Sequence, residues 1–282
     1  LTRILVAGTG YLGHVVARLF TEANASVCGL CASKETIERL VGRSYSIIDT
    51  DVTKKPALLK VLAEFPDVDL LVYCMSSGGG DTDAYRRLYV DGFRNLLELF
   101  WPRRSIFISS SSVYGQTDGS AVTEESPTEP TRETSKILLE AEKICLEEGG
   151  TVARLTGIYG PQRSVYMRRF LREEAEIEGE GDRWVNQIHR DDAASAIVHL
   201  GLKNPEPGIY NVVDDTPARQ REIYQWLSEF YGRPMPPKGE VKEKKRGNTS
   251  KRVSNLKLKE TAWRPLYPSY KDALPELARL GL

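Results

Sequence analysis

Six residues near the start of the chain, Gly8-Thr9-Gly10-Tyr11-Leu12-Gly13, constrain its fold more than any other feature. They follow a short β-rich run at 3–6. They open a segment, 11–23, in which Leu12, Val15, Val16, Leu19 and Phe20 recur at helical spacing. In that strand–turn–helix setting each glycine has a physical task. Gly8 permits the sharp turn, Gly10 lets the backbone approach a pyrophosphate, and Gly13 lets the helix pack closely on the sheet. The helix N-terminus then faces the anion. The loop therefore predicts a dinucleotide site made by Gly8, Thr9, Gly10, Tyr11, Leu12 and Gly13.

The pattern beyond the loop supports the same fold. Strands are expected at 26–30, 45–48, 69–75, 105–109 and 151–155, with helices at 34–41, 56–65, 85–101 and 135–148 between them. Such alternation predicts an α/β fold, a Rossmann-type doubly wound parallel sheet with helices on both faces. Residues 1–155 read as the dinucleotide-binding domain. Residues 156–282 read as a smaller α/β substrate-binding region interleaved with it. Helices are expected there at 166–176, 192–202 and 219–231, and a strand at 209–213. The Pro-, Lys- and Glu-rich stretch 234–252 reads as an exposed, mobile loop.

Composition narrows the partners. Lys plus Arg equals Asp plus Glu, 39 each, so no excess charge draws the chain to nucleic acid or an anionic membrane. The basic cluster 242–246 reads as a solvated loop first and a nucleic-acid contact second. Apolar runs such as 4–7 and 70–75 fall far short of the roughly 20 residues of a membrane span. No secretory signal is visible, which implies a cytoplasmic protein, or an organellar one whose leader has been removed. Cys28 and Cys31 form C-x-x-C, but with no second pair and no nearby His they read as small apolar residues of a reduced core. No histidine spacing argues for a metal.

The choice of nicotinamide cofactor turns on the end of the second strand. An NAD site usually places a carboxylate there for the ribose hydroxyls. Here the residues are Cys31-Ala32-Ser33-Lys34, with no carboxylate before Glu35. Ser33 and Lys34 can instead take a 2′-phosphate, which favours NADP, with NAD as the alternative.

Several ordered segments resemble the extended short-chain dehydrogenase/reductase family, of the epimerase/dehydratase type. Asp51-Val52 is similar to the family's pair that meets the adenine after strand three. Cys74-Met75-Ser76 stands where the family has small residues beside the cofactor. YVDGFRNLL (89–97) resembles N-V-x-G-T-x-N-L-L, and SSSSVYG (109–115) resembles the S-S-x-x-V-Y-G signature. Segments 153–161, 188–193 and 208–215 resemble later family segments.

The departures are equally specific. Where the family has Y-x-x-x-K, this chain has Arg132 in the tyrosine's place and Lys136 in the lysine's. Tyr89 replaces the Asn that opens the helix motif, and Asp91 stands between Val and Gly. The glycine loop is one residue shorter than the family's usual form. The chain thus looks like the atypical branch of the family.

The resemblance implies that Lys136 bonds the nicotinamide ribose and that Ser110 lines the nicotinamide end of the cleft. Arg132 cannot serve as an ordinary acid/base, because a guanidinium stays protonated. It can stabilise an oxyanion or clamp a carboxylate or phosphate, or it points to solvent. Tyr114, Tyr159 and Tyr166 are candidate replacement proton donors. His189 is a candidate pocket residue, and Asp191 or Asp192 a candidate helix N-cap.

Two functions lead: an oxidoreductase or epimerase/dehydratase acting on a small polar sugar derivative or carbonyl compound, and, as the alternative, a non-catalytic NADP(H)-binding sensor or scaffold. A nucleic-acid-associated protein using 242–252 is a third. The resemblance also implies a homodimer through helices 85–101 and 135–148.

Overall fold

The structure is a computed structural model describing residues 1–40, 42–77, 81–241 and 249–279. Seven strands form one sheet: β1 (Arg3–Ala7), β2 (Ser26–Cys31), β3 (Ser46–Asp49), β4 (Leu70–Tyr73), β5 (Arg104–Ser110), β6 (Thr151–Leu155) and β7 (Ile209–Val212). Their spatial order is β7-β6-β5-β4-β1-β2-β3. Pairing is parallel from β3 through β2, β1 and β4 to β5. The interior strands are continuous apolar runs because both faces are covered. Ile4, Leu5, Val6, Leu71, Val72 and Phe107 are fully buried.

The chain reverses its direction of winding between β1 and β4, which meet as neighbours. In sheets of this kind ligands bind at the carboxyl ends of the strands, at such a switch point.

The helices follow from spacing. In α1 (Gly13–Glu22), Val15, Val16 and Phe20 are buried. Helix α8 (Arg190–Lys203) comes so close that a Cβ on Gly201 would lie 2.7 Å from the Phe20 ring and 2.9 Å from Leu70. Helices α3 (Lys55–Glu64), α5 (Gly92–Phe100) and α6 (Glu133–Glu147) form a second group, α3 against α5 and α6 against β5. Among the described residues no helix is long and apolar enough to cross a membrane. No group of three or more His, Cys, Asp or Glu is placed among them to hold a metal ion.

The chain divides into two compact units. One comprises Leu1–Ser110, Glu133–Arg154 and Ala194–Tyr210; the other comprises Ser111–Arg132, Leu155–Ala193 and Asn211–Leu282. The second unit has its own core. Met167 and Phe170 of α7 (Val165–Leu171), Ile223, Tyr224 and Leu227 of α9 (Gln220–Tyr231), and Tyr270, Leu274 and Leu277 of α10 (Tyr270–Arg279) pack there.

Several sequence expectations need correction. The helix expected at 85–101 starts earlier, as α4 (Thr82–Arg86) capped by Asp81, and is broken by a π-helical turn at Arg87–Asp91. A wide turn frees a carbonyl, and Leu88 O is taken by the Tyr73 hydroxyl. The helix expected at 166–176 stops at Leu171, and Glu173 has left-handed backbone (φ 59°). Residues Ile177–Glu178 instead pair with Lys238–Gly239. Thus 234–252 is not one exposed loop: besides this pairing, Arg252–Val253 pairs with Ala121–Val122, and Lys251 is buried. The basic cluster 242–246 and Val41 lie outside the described residues. Helix α10, with Pro275 inside it, was not expected at all.

Candidate cofactor and active site

The glycine loop sits at the switch point, against the segment that follows β4. Gly8 N and Thr9 N both donate to Leu30 O, at 2.9 and 3.2 Å, and Cys74 N donates to Ala7 O at 2.8 Å. Gly8 has φ 95°, and a Cβ there would lie 2.5 Å from Cys74 O. At Gly13 a Cβ would lie 1.9 Å from Gly8 O, so the helix starts directly on the turn. Gly10 differs: nothing lies within 4 Å of the position its Cβ would take. Two glycines are therefore required by the loop's own packing. The third leaves an open face between them, bordered by the first turn of α1, and a phosphate group fits such a cradle. Thr9 and Leu12 are buried, and Tyr11 is half-buried.

The neighbouring segments are held by specific bonds. Asp51 accepts from Thr53 N at 3.0 Å and Thr53 Oγ1 at 2.7 Å. Burial alone would raise its pKa, but these bonds and Lys54 outweigh that and lower it. Val52 is buried; its carbonyl accepts from Asn95 Nδ2 at 3.2 Å, and its side chain would meet any Cβ on Gly92 at 2.9 Å. Met75 O accepts from Tyr89 OH at 3.3 Å. Tyr73, Tyr89 and Gly92 thus bring the broken helix down onto the ends of β3 and β4. The Cys74 thiol lies 3.6 Å from where a Gly13 Cβ would stand, and burial raises its pKa to about 12, so it is not a nucleophile. Ser76 is exposed.

At the end of β2, Ser33 is the N-cap of α2 (Lys34–Arg39), accepting from Thr36 N at 3.2 Å. Its hydroxyl proton stays available to a ligand, and Lys34 is exposed. Asp49 on β3 stands in register with Cys31. Cys28 and Cys31 are both buried free thiols, and burial raises the Cys28 pKa to about 11.

Ser110 ends β5 and is half-buried. Lys136 lies in the first turn of α6, exposed and paired with Glu133 at 2.7 Å. Arg132, half-buried, belongs to the second unit and immediately precedes α6.

The second unit fixes the other sequence candidates. Tyr114 is fully buried, and its hydroxyl donates to Asn211 Oδ1 at 2.8 Å. Its carbonyl accepts from Lys251 Nζ at 2.8 Å, and Thr249 Oγ1 accepts a second Lys251 proton at 2.9 Å. Tyr166 OH accepts from Arg183 at 3.0 Å, and burial raises its pKa. The Tyr159 hydroxyl is buried with no hydrogen-bond partner among the described residues, and burial, reinforced by Asp214, pushes its pKa well up. Phenols held this way are poorer acids than free tyrosine.

His189 packs against Tyr267 and Tyr159, with ring centroids 4.4 and 5.4 Å away. Burial lowers its pKa, and its Nδ1 accepts from Asp191 N at 3.3 Å, so the ring is neutral. Asp192 lies inside the first turn of α8 and accepts from Leu266 N and Tyr267 N, at 2.7 and 2.9 Å. Because α8 begins at Arg190, neither Asp191 nor Asp192 is its N-cap, as the sequence had suggested; Asp192 ties down a distant loop instead, a task that local sequence does not signal. Lys251 was missed because its neighbours made it read as one more loop lysine.

Comparison with known proteins agrees with the architecture. Residues 4–212 match the NAD dependent epimerase/dehydratase family profile. No curated protein matches the sequence. Among solved structures, a protein described as an NAD-dependent epimerase/dehydratase from Methylobacillus flagellatus is 30% identical, with TM-score 0.82 over 99% of this chain and 98% of that one. The dTDP-glucose 4,6-dehydratase of Bacillus anthracis, in complex with NAD, is 20% identical, with TM-score 0.83 over 99% and 96%. The UDP-glucuronic acid 4-epimerase of Bacillus cereus, in complex with UDP-glucuronic acid and NAD, is 21% identical, with TM-score 0.81 over 99% and 100%. The last two likenesses show the fold alone. With a family match across three quarters of its length and a switch-point glycine cradle at its centre, the chain belongs to the NAD-dependent epimerase/dehydratase family.

Proposed function

We propose that this protein binds NADP(H) in the Gly8–Gly13 cradle and transfers hydride to or from a small polar carbonyl compound or sugar derivative. The observation that carries the reading is the open face at Gly10 between two glycines that tolerate no side chain. When bound, the nicotinamide supplies the hydride acceptor or donor. The chain's own residues supply the rest. Lys136 exchanges its surface pair with Glu133 for the ribose hydroxyls, and Ser110 donates to the reacting oxygen of the substrate. Arg132 contributes a fixed positive charge that stabilises a developing oxyanion or holds an anionic substituent. Tyr114 serves as a structural bolt, because its hydroxyl is committed to Asn211.

Ser33 and Lys34 support NADP over NAD: a cationic side chain and a hydroxyl donor suit a 2′-phosphate. Asp49, in register with Cys31, favours the NAD alternative. Titration with NADPH and with NADH, followed by tryptophan fluorescence, separates them. The expected result is tighter binding of NADPH, reversed or abolished by Lys34→Ala with Ser33→Ala. Equal affinities would remove the NADP assignment, and binding of neither would remove the enzyme reading. Tight NADPH binding without turnover on a broad carbonyl panel would favour the sensor or scaffold reading.

A further inference from the structure

The first unit contains a buried ion pair that neither the cofactor loop nor the candidate catalytic residues use. Glu142 on α6 and Arg154 on β6 are each 3% exposed, and they meet through Arg154 Nη2, which donates to Glu142 Oε2 at 2.6 Å. Arg154 Nε donates to both carboxylate oxygens, at 3.1 and 3.2 Å. Ser109 on β5 donates its hydroxyl to Glu142 Oε1. Three secondary-structure elements thus converge on one carboxylate.

Stability is a poor explanation for this arrangement. Two charges taken out of water recover their desolvation penalty only with excellent geometry, and apolar residues of similar volume often do as well or better. What an apolar pair does not supply is a single register. The other side chains that α6 buries are Ser135, Ile137, Leu138, Ala141 and Cys145, with Ser105 Oγ of β5 3.7 Å from Cys145 Sγ. Apolar burial is non-directional and does not by itself specify one register. A two-pronged Arg–carboxylate pair has one geometry.

The residues beside the triad are those the proposed function depends on. Ser110 is the residue after Ser109. Lys136 lies six residues before Glu142 on the same helix, about 9 Å along its axis at 1.5 Å per residue.

We infer that the Glu142–Arg154–Ser109 triad is a positioning device that fixes α6, carrying Lys136, against β5, carrying Ser110. The inference rests on the reading of those two residues as cofactor and substrate groups. None of the three members touches the reacting atoms; they act through the elements they lock.

The test separates position from stability. In Glu142→Met with Arg154→Met, the charges are replaced by apolar side chains, and the expected apo Tm is equal to or above that of the wild type. NADPH affinity is expected to fall at least fivefold, and amide exchange over residues 133–140 to accelerate at least tenfold. Ser109→Ala removes one arm only and gives a smaller change in the same direction, which keeps the test available if the double variant fails to fold. Wild-type exchange in α6 at unchanged Tm would overturn the inference, as would wild-type affinity. If the wild-type protein binds neither NADPH nor NADH, the proposed function fails, while the exchange measurement still decides whether the triad sets the register.

Discussion

Lys251 carries a charge into the interior of the second unit, where no carboxylate among the described residues meets it. It is 4% exposed, and its ammonium has a backbone carbonyl and a threonine hydroxyl as acceptors. Burial lowers its pKa from 10.5 to about 8. The folded form therefore releases this proton more readily than the unfolded chain does. Between about pH 8 and pH 10.5 the unfolded state binds more protons, so this group makes stability rise with pH. Below pH 8 the ammonium is charged in both states and that contribution is absent. The full effect is on the order of 3 kcal/mol. Buried phenols such as Tyr270 oppose it at the alkaline end, since their raised pKa values favour the folded state less once the unfolded tyrosines ionise. The useful quantity is thus the difference between wild type and Lys251→Met in urea unfolding from pH 7 to 9.5. Wild type should gain on the variant as pH rises; a constant difference would mean that Lys251 does not titrate in this range. A lysine of this kind was not legible in the sequence. It sits five residues after the charged run 242–246, and the pairing of Arg252–Val253 with Ala121–Val122 carries it inside.

At the scale of elements, legibility followed the range of the interactions. Helix α1 and strands β1 to β6 were placed within two residues because their apolar periodicity is local. The broken helix was not. Its sequence, from Tyr85 to Trp101, is amphipathic throughout, and nothing local marks a π turn at Arg87–Asp91. The cause is 15 residues away: Tyr73, fully buried on β4, donates its hydroxyl to Leu88 O. Gly92 makes room, since a Cβ there would stand 2.7 Å from the Tyr73 hydroxyl oxygen. The tight turn at Gly8 and the close start of α1 at Gly13 were legible, because the glycines that permit them lie within six consecutive positions. The set that holds Tyr114, drawn from Asn211 and Lys251, was not, because it is assembled from distant parts of the chain. Tyr73→Phe tests the account of the broken helix. It leaves the ring stacked on Phe107 but strands the Leu88 carbonyl in the interior. The expected cost is about 1–3 kcal/mol in urea unfolding. Amide exchange should accelerate within residues 87–92 first, and a variant as stable as wild type would mean that Tyr73 does not hold the turn.

At the scale of the whole molecule, the connectivity limits what a fragment can do. Each compact unit is built from three separated stretches, so the chain passes from one to the other five times. The first unit does not end at β6. It needs Ala194–Tyr210, which contributes most of α8 and the beginning of β7. Without α8, Phe20 and Leu70 lose the surface that meets Gly201, and without β7, β6 loses its outer neighbour in the sheet. An uncovered strand edge and an exposed apolar face together favour aggregation. A fragment of residues 1–155 keeps every residue of the glycine cradle, yet it should not fold to a stable monomer. Circular dichroism and size exclusion should show loss of a cooperative thermal transition or formation of aggregates, and NADPH titration should show no saturable binding. If the fragment instead melts cooperatively and binds the cofactor, the cradle is independent of α8, and the late return of the chain serves only the second unit.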